Sequence, residues 1–253
     1  MASKMVKAQV KDDVNVLSGE GAPRCAGKPG GPKQYCLPYP AGNHVVAVPG
    51  CLMTVRDQDE FERKLAETPT LLQEVLDQGK KETNEKQVKA LLRNAKNLQT
   101  HTQKGTVPGT WKEREKEAAS LLNVFQNGWD TKDYLGKMIY GLGAFYTHRN
   151  PVVIVSDPQE FEDAVDETRN TAQTALKDRK AGKEGPGTVT QLQSILRYVT
   201  KLEKQIQTGK YPSLRERQAN VLYPMILDGW DPADFLGKLV FAFDSYYART
   251  KDF

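Results

Sequence analysis

The sequence predicts an all-α protein: two tandem, homologous four-helix units (an internal duplication) behind an extended N-terminal arm. A ten-residue segment, GWDTKDYLGK at 128–137, returns as GWDPADFLGK at 229–238. Apolar residues around both copies recur at helical spacing. The first fifty residues differ, because they are rich in Gly and Pro and have no helical stripe. We therefore divide the 253 residues into an arm (1–50), unit 1 (51–150) and unit 2 (151–253).

The repeat extends through both units with a small drift in offset. Insertions of a few residues are tolerated best in loops, and the segments 104–109 and 181–187 have loop composition. The offset is 100 between Asp57 and Asp157, 104 between Leu92 and Leu196, and 101 between Gly128 and Gly229.

The first helix of each unit begins with a predicted capping box. Asp57 and Asp157 are the N-caps, and the side chains of Glu60 and Glu160, three residues later, reach back to the N-cap. Pro69 predicts a break or bend in the unit 1 helix.

The second and third helices follow from periodicity and helix-stop signals. The third helix is predicted to begin near residue 111 or 213 and to end at Gly128 or Gly229, and Pro224 predicts a kink in unit 2. The second helix is clearest in unit 2, from the stripe Val189, Leu192, Ile195, Leu196, Val199, Leu202 and Ile206.

The fourth helix carries a wide aromatic stripe, which predicts burial in the core. Asp130 and Asp231 are its predicted N-caps. Gly136 and Gly237 lie inside it, and their presence in both copies predicts a close approach to another helix. In unit 1 the stripe is Tyr134, Leu135, Met138, Ile139, Leu142, Phe145 and Tyr146.

Apolar segments at 52–55 and 152–155 precede the first helices. We interpret them as buried extended lead-ins, with short strands that pair with each other as the alternative. The join at 149–151 is short, which favours units packed across a pseudo-two-fold axis over separate beads.

Charge is concentrated in the arm. Its net charge is +3, compared with +2 for unit 1 and −1 for unit 2. Basic residues with Tyr35 and Tyr39 among them give weak support for nucleic-acid binding, since phosphate contacts need clustered Lys and Arg. Apolar arm residues predict docking against the body or a neighbouring subunit. The sequence has no apolar run of about twenty residues, so we predict no membrane span. No signal peptide is evident, so we expect synthesis in a cytoplasm.

Three cysteines, Cys25, Cys36 and Cys51, lie in or beside the arm with His44. Their long, uneven gaps lack a Cys-x-x-Cys pair, so we predict no metal site. Free thiols are the default, and one disulfide within or between chains is the alternative.

The Gly-Trp-Asp motif has a functional and a structural interpretation. It is either a duplicated ligand or partner site, or a corner where glycine ends one helix, tryptophan packs over the turn and aspartate caps the next helix. We favour the corner. Lys137 and Lys238 are then expected to be solvated, and His101 and His148 have no histidine counterparts.

No catalytic, cofactor-binding or metal-binding constellation is predicted. Motifs for zinc, phosphate and nucleophile sites are absent from the sequence, and acids such as Glu60 and Glu62 suit caps and exposed faces. We expect a non-enzymatic structural or assembly protein, specifically a virus or phage particle component (capsid, decoration or neck protein) found in the virion. Its arm would tie neighbouring subunits in a homo- or hetero-oligomer. The alternative is a helical adaptor or regulator that binds a partner protein or nucleic acid.

Overall fold

The structure is a computed structural model, and it describes residues 24–25, 34–35, 52–78, 85–131, 133–219, 222, 230–231, 234–251 and 253. In the arm, strand β1 (Arg24–Cys25) pairs antiparallel with β2 (Gln34–Tyr35). The predicted docking of the arm falls on residues outside the described part.

The body is helical, which confirms the all-α prediction. Unit 1 contains β3 (Met53–Val55), α1 (Gln58–Asp77), α2 (Glu85–Lys104), α3 (Trp111–Leu122) and α4 (Tyr134–His148). Unit 2 contains β4 (Val152–Ile154), α5 (Pro158–Lys180), α6 (Val189–Thr208), α7 (Leu214–Ala219) and α8 (Phe235–Arg249). The described elements follow the same order in both units, and their descent from one ancestral unit stays a prediction.

Helix α1 begins where the sequence places it. The Asp57 side chain accepts a hydrogen bond from the Glu60 backbone N–H at 2.9 Å. The Glu60 carboxylate accepts from the backbone N–H of Arg56 at 2.8 Å, which lies one residue before the predicted recipient. Unit 2 repeats both bonds, at 2.8 and 2.7 Å, with Asp157, Glu160 and Ser156. Each glutamate therefore fixes its lead-in strand as well as its helix.

The sequence predicts a break or a bend at Pro69. The break is wrong, because α1 continues through the proline, and the bend stays a prediction. Leu65 and Leu72, on either side of the proline, are both buried in the unit 1 core. Their packing holds both flanking turns in place and outweighs the one backbone hydrogen bond that proline cannot donate.

The predicted boundary between the third and fourth helices is displaced. Helix α3 ends at Leu122, and turns fill 123–128 before Gly128, whose φ is +92°. The N-cap of α4 is Asp133, which accepts from the Gly136 N–H at 2.9 Å, and not Asp130. The backbone carbonyl of Asp130 instead accepts from the Asp133 N–H in a turn.

The same displacement occurs in unit 2, where Asp234 and not Asp231 caps α8 by accepting from the Leu236 N–H at 3.0 Å. The predicted kink at Pro224 and helix end at Gly229 lie outside the described residues.

The two units are joined by pairing of β3 with β4, so the alternative interpretation of the lead-ins is the one observed. Met53 faces Ile154 and Thr54 faces Val153 in an antiparallel register. At the offset of 100, Met53 corresponds to Val153 and Thr54 corresponds to Ile154. If each residue is replaced by its counterpart in the other unit, the pair Met53–Ile154 therefore becomes the pair Thr54–Val153. The register therefore has a local two-fold axis between the units.

Candidate functional sites

Lys137 and Glu160 form a buried ion pair between the units. Both side chains are 0% exposed, which contradicts the prediction that Lys137 is solvated. The backbone N–H and hydroxyl of Ser156 donate to the same carboxylate at 2.7 and 2.9 Å. Burial raises the pKa of Glu160, and the hydrogen bond from Lys137 opposes that rise. The pair thus links α4 of unit 1 to α5 of unit 2.

In unit 1 the corresponding glutamate forms its ion pair with a lysine of the same unit. Glu60, the counterpart of Glu160, lies 2.9 Å from Lys64, which also donates to the Thr54 carbonyl. Burial lowers the pKa of Lys64. Unit 2 has Ala164 at the corresponding position, and Lys238, the counterpart of Lys137, is half-buried with no ion pair among the described residues.

Further contacts interlock the units. Arg56 lies 3.0 Å from Glu167 of unit 2, and its guanidinium lies 4.8 Å from the ring centroid of Phe235. Leu52 packs against the core of unit 2, while Ile154 packs against the core of unit 1. Each lead-in therefore contributes to the core of the other unit.

The Gly-Trp-Asp segment of unit 1 forms a closed corner. The Trp129 indole N–H donates to Asp133, the N-cap of α4. A β-carbon on Gly136 would overlap the Trp129 ring, so this glycine makes room for tryptophan rather than for another helix, contrary to the prediction. A close helix approach occurs instead at Gly143, where a β-carbon would lie 3.0 Å from Leu121 of α3.

In unit 2 the hydrogen bond between the tryptophan and the aspartate cap is absent. The Trp230 indole nitrogen and one carboxylate oxygen of Asp234 are buried without a hydrogen-bond partner in the part of the chain that the structure describes. Burial raises the pKa of Asp234. A cavity of about 510 Å³ lies beside them, lined in part by Arg179 and Gln191.

A row of exposed basic side chains runs along α2. Lys86, Lys89, Arg93 and Lys96 fall within about 80° of one another at 100° per residue. Glu85, 2.5 Å from Lys89, is the one acidic residue of this helix. The sequence analysis missed this row, although counting charges by helix face would have shown it.

The remaining predicted residues make local contacts. His101 Nδ1 lies 3.2 Å from the Thr106 hydroxyl, and His148 stacks on Trp111 with ring centroids 6.4 Å apart. Glu62 accepts from Gln58 at 2.7 Å on the surface, as expected.

Within the described ranges, no cluster of three or more His, Cys, Asp or Glu side chains could hold a metal ion. Cys36, Cys51 and His44 lie outside those ranges, and Cys25 is in β1, so the state of the cysteines stays open.

The Lys137–Glu160 pair is the feature that sequence reasoning missed most clearly. The apolar stripe of α4 continues on both sides of Lys137, which was a signal for burial.

None of the described helices is both long enough and apolar enough to cross a membrane. No protein family, curated protein or solved structure matches the chain.

Proposed function

We propose that this chain is a non-enzymatic structural or assembly protein, specifically a capsid, decoration or neck component of a virus or phage particle, whose arm ties neighbouring subunits. The observation that carries the proposal is the symmetric β3–β4 pairing, which joins two similar helical units into one body. Such a body presents two related faces, and these suit two quasi-equivalent neighbours in a closed or repeating assembly.

The contacts between the units support a role as a rigid spacer. A buried ion pair holds its geometry only when its surroundings are fixed, because separation of the charges leaves them desolvated. Lys137 and Glu160 meet this condition between the units, and the exchange of Leu52 and Ile154 between the cores adds apolar contacts. We therefore expect little relative motion of the units when neighbours bind.

The experiment compares the full chain with a deletion of residues 1–50. Sedimentation velocity and negative-stain electron microscopy measure assembly, and far-ultraviolet circular dichroism measures helical content. We expect the deletion to keep its helical content and lose assembly. A chain with the arm sequence scrambled at constant composition is the control, and it should also fail to assemble. Normal assembly by the deleted chain, or a full chain that stays monomeric at every concentration, would contradict the proposal.

The basic row of α2 favours a second candidate, an adaptor that binds nucleic acid. Binding that neutralises Z phosphates of a single strand falls with salt at a slope of about −0.7Z. Replacing Lys86 and Lys89 by Gln should therefore reduce the slope by about 1.4. The control replaces Lys177 and Lys180, exposed at the end of α5, and should leave the slope unchanged. Equal slopes for both variants would exclude the row as a phosphate-binding surface.

A further inference from the structure

Residues 149–151, the hinge, connect the two units through a strained turn. Arg149 follows the last residue of α4 and has φ +59° and ψ +23°, which is the left-handed helical region. It is the one residue other than glycine with a positive φ in the part of the chain that the structure describes. Glycine usually occupies such a position after a helix, because a β-carbon there crowds the following carbonyl oxygen. The turn at Arg149 therefore carries a conformational cost that glycine would avoid.

The corresponding position of unit 2 has a different conformation. Thr250 lies 101 positions after Arg149, and it follows α8 as Arg149 follows α4. The backbone N–H groups of both residues donate to the carbonyl four residues earlier, at 2.7 and 2.9 Å. Thr250 is nevertheless extended, with φ −70° and ψ +148°. The same helix end is thus compatible with a chain that turns back and with a chain that runs on.

Side-chain contacts within unit 1 hold the left-handed turn. The Arg149 guanidinium donates to the side-chain oxygen of Gln58 on α1 at 2.7 Å, and it lies 5.5 Å from the ring centroid of Tyr146. If residue 149 were extended as Thr250 is, the chain would leave α4 in another direction, and β4 would not return to the β3 of its own unit 1.

The contacts between the units join residues before the hinge to residues after it. Strand β3 pairs with β4, Lys137 pairs with Glu160, and Arg56 pairs with Glu167. Two copies with extended hinges can therefore make all of these contacts with each other, since unit 2 of each copy can take the place of the other copy's unit 2. Short hinges under strain favour such an exchange of identical elements.

We propose that this chain forms an exchanged dimer, in which unit 2 of each copy packs on unit 1 of the other copy. Relief of two left-handed turns offsets part of the entropy that two chains lose on association. The dimer is closed, because both of its interfaces between units are satisfied within the pair. This inference does not rest on the arm, so the exchanged dimer and the assembly through the arm can succeed or fail separately.

Charge complementation between copies tests the exchange in the full chain. One variant carries Lys137→Glu and the other carries Glu160→Lys, so each variant alone has like charges at the buried pair. An exchanged dimer of the two variants has opposite charges at both interfaces. The variants are refolded from urea, together and apart, with one of them ¹⁵N-labelled for native mass spectrometry. We expect the mixed dimer to be at least about tenfold more abundant than the dimer of either variant alone, because buried like charges oppose packing of the units.

The matched control uses the Glu60–Lys64 pair, which lies within unit 1. Lys64→Glu and Glu60→Lys in separate chains cannot restore each other's pair when unit 2 is exchanged. Their mixture should therefore give no excess of mixed dimer. Absence of the mixed dimer from the Lys137 and Glu160 variants, or an equal excess in the control mixture, would overturn the proposal.

Two hinge variants keep the buried pair and test the strained turn. Arg149→Gly and Arg149→Ala both remove the contacts with Gln58 and Tyr146, but only glycine takes up the left-handed turn without strain. A left-handed residue costs a factor of about ten, and the dimer relieves two of them. The dissociation constant of the dimer should therefore be about a hundredfold lower for Arg149→Ala than for Arg149→Gly.

Sedimentation equilibrium after refolding measures both dissociation constants. The same two substitutions at Thr250, which does not connect the units, should give equal constants. Constants that agree within about threefold for the two Arg149 variants would show that the turn does not control dimer formation and would also overturn the proposal.

Discussion

Replacement of Lys137 by methionine should destabilise the whole body, because it leaves the Glu160 carboxylate buried without its cation. Methionine has nearly the length of lysine, so the change removes charge without a large cavity. Breaking a buried ion pair from one side costs about 3–5 kcal/mol of unfolding free energy. For a chain of this size, such a loss lowers the melting temperature by roughly 10 °C.

The cost should depend on pH in a defined direction. Burial already raises the pKa of Glu160 in the folded protein, and loss of Lys137 removes a contact that opposes the rise. A carboxyl group with a raised folded-state pKa contributes most stability below its unfolded pKa, and that contribution is lost as pH rises through the folded value. The variant should therefore lose less stability at pH 5 than at pH 8, relative to wild type.

The assay is urea denaturation followed by circular dichroism at both pH values. Lys238→Met is the matched control, because this counterpart is half-buried and unpaired among the described residues; it should change stability by less than about 0.5 kcal/mol. A second variant exchanges side chains, with Lys137→Ala and Ala164→Lys, and should be more stable than Lys137→Ala alone because it copies the Glu60–Lys64 spacing. Equal effects of Lys137→Met and Lys238→Met would refute the buried pair.

Three further changes test local features by the same denaturation assay. Gly136→Ala should destabilise by about 1–3 kcal/mol despite its better helix propensity, since the new methyl group overlaps Trp129, and a stabilised variant would contradict the closed corner. Thr188→Ala removes the capping box of α6 and should cost about 1 kcal/mol, whereas no change would indicate that the cap is frayed in solution. Leu72→Ala should cost about 2–5 kcal/mol, because Leu72 is a 0% exposed core residue in the turn after Pro69, and a cost below 1 kcal/mol would show that α1 is not packed there.

Local chemistry made the helices predictable. The cap at Asp57 acts over three residues, and the stripe of α6 repeats every turn, so both can be read from neighbouring positions. The displaced start of α4 shows the limit of such reasoning. Asp130 and Asp133 are both good N-caps, and the choice is made by Trp129, whose indole bonds to Asp133 and whose ring requires Gly136 one turn later.

Contacts between the units were beyond local reasoning. Lysine is usually a surface residue, which is why Lys137 was predicted to be solvated. Its burial depends on Glu160, which lies 23 positions away on another helix. Pro69 is the converse case, because a local rule predicted a break that packing by Leu65 and Leu72 overrides. In both cases the structure depends on tertiary contacts, and the spacing of residues along the sequence does not reveal how much those contacts stabilise it.

The candidate sites lie at positions where the corresponding residues of the two units differ or make different contacts. Each unit has a glutamate that holds its lead-in strand and a tryptophan placed before an aspartate cap. In unit 1 both requirements are met locally, by Lys64 for the glutamate and by Asp133 for the tryptophan. Unit 2 lacks the local lysine, and Glu160 pairs instead with Lys137 of unit 1, which joins the units. The Trp230 ring lies against Gly187, and its buried indole N–H has no partner in the described part of the chain. Substitution of Lys137 should therefore reduce the stability of the joined body more than the same substitution of its counterpart Lys238.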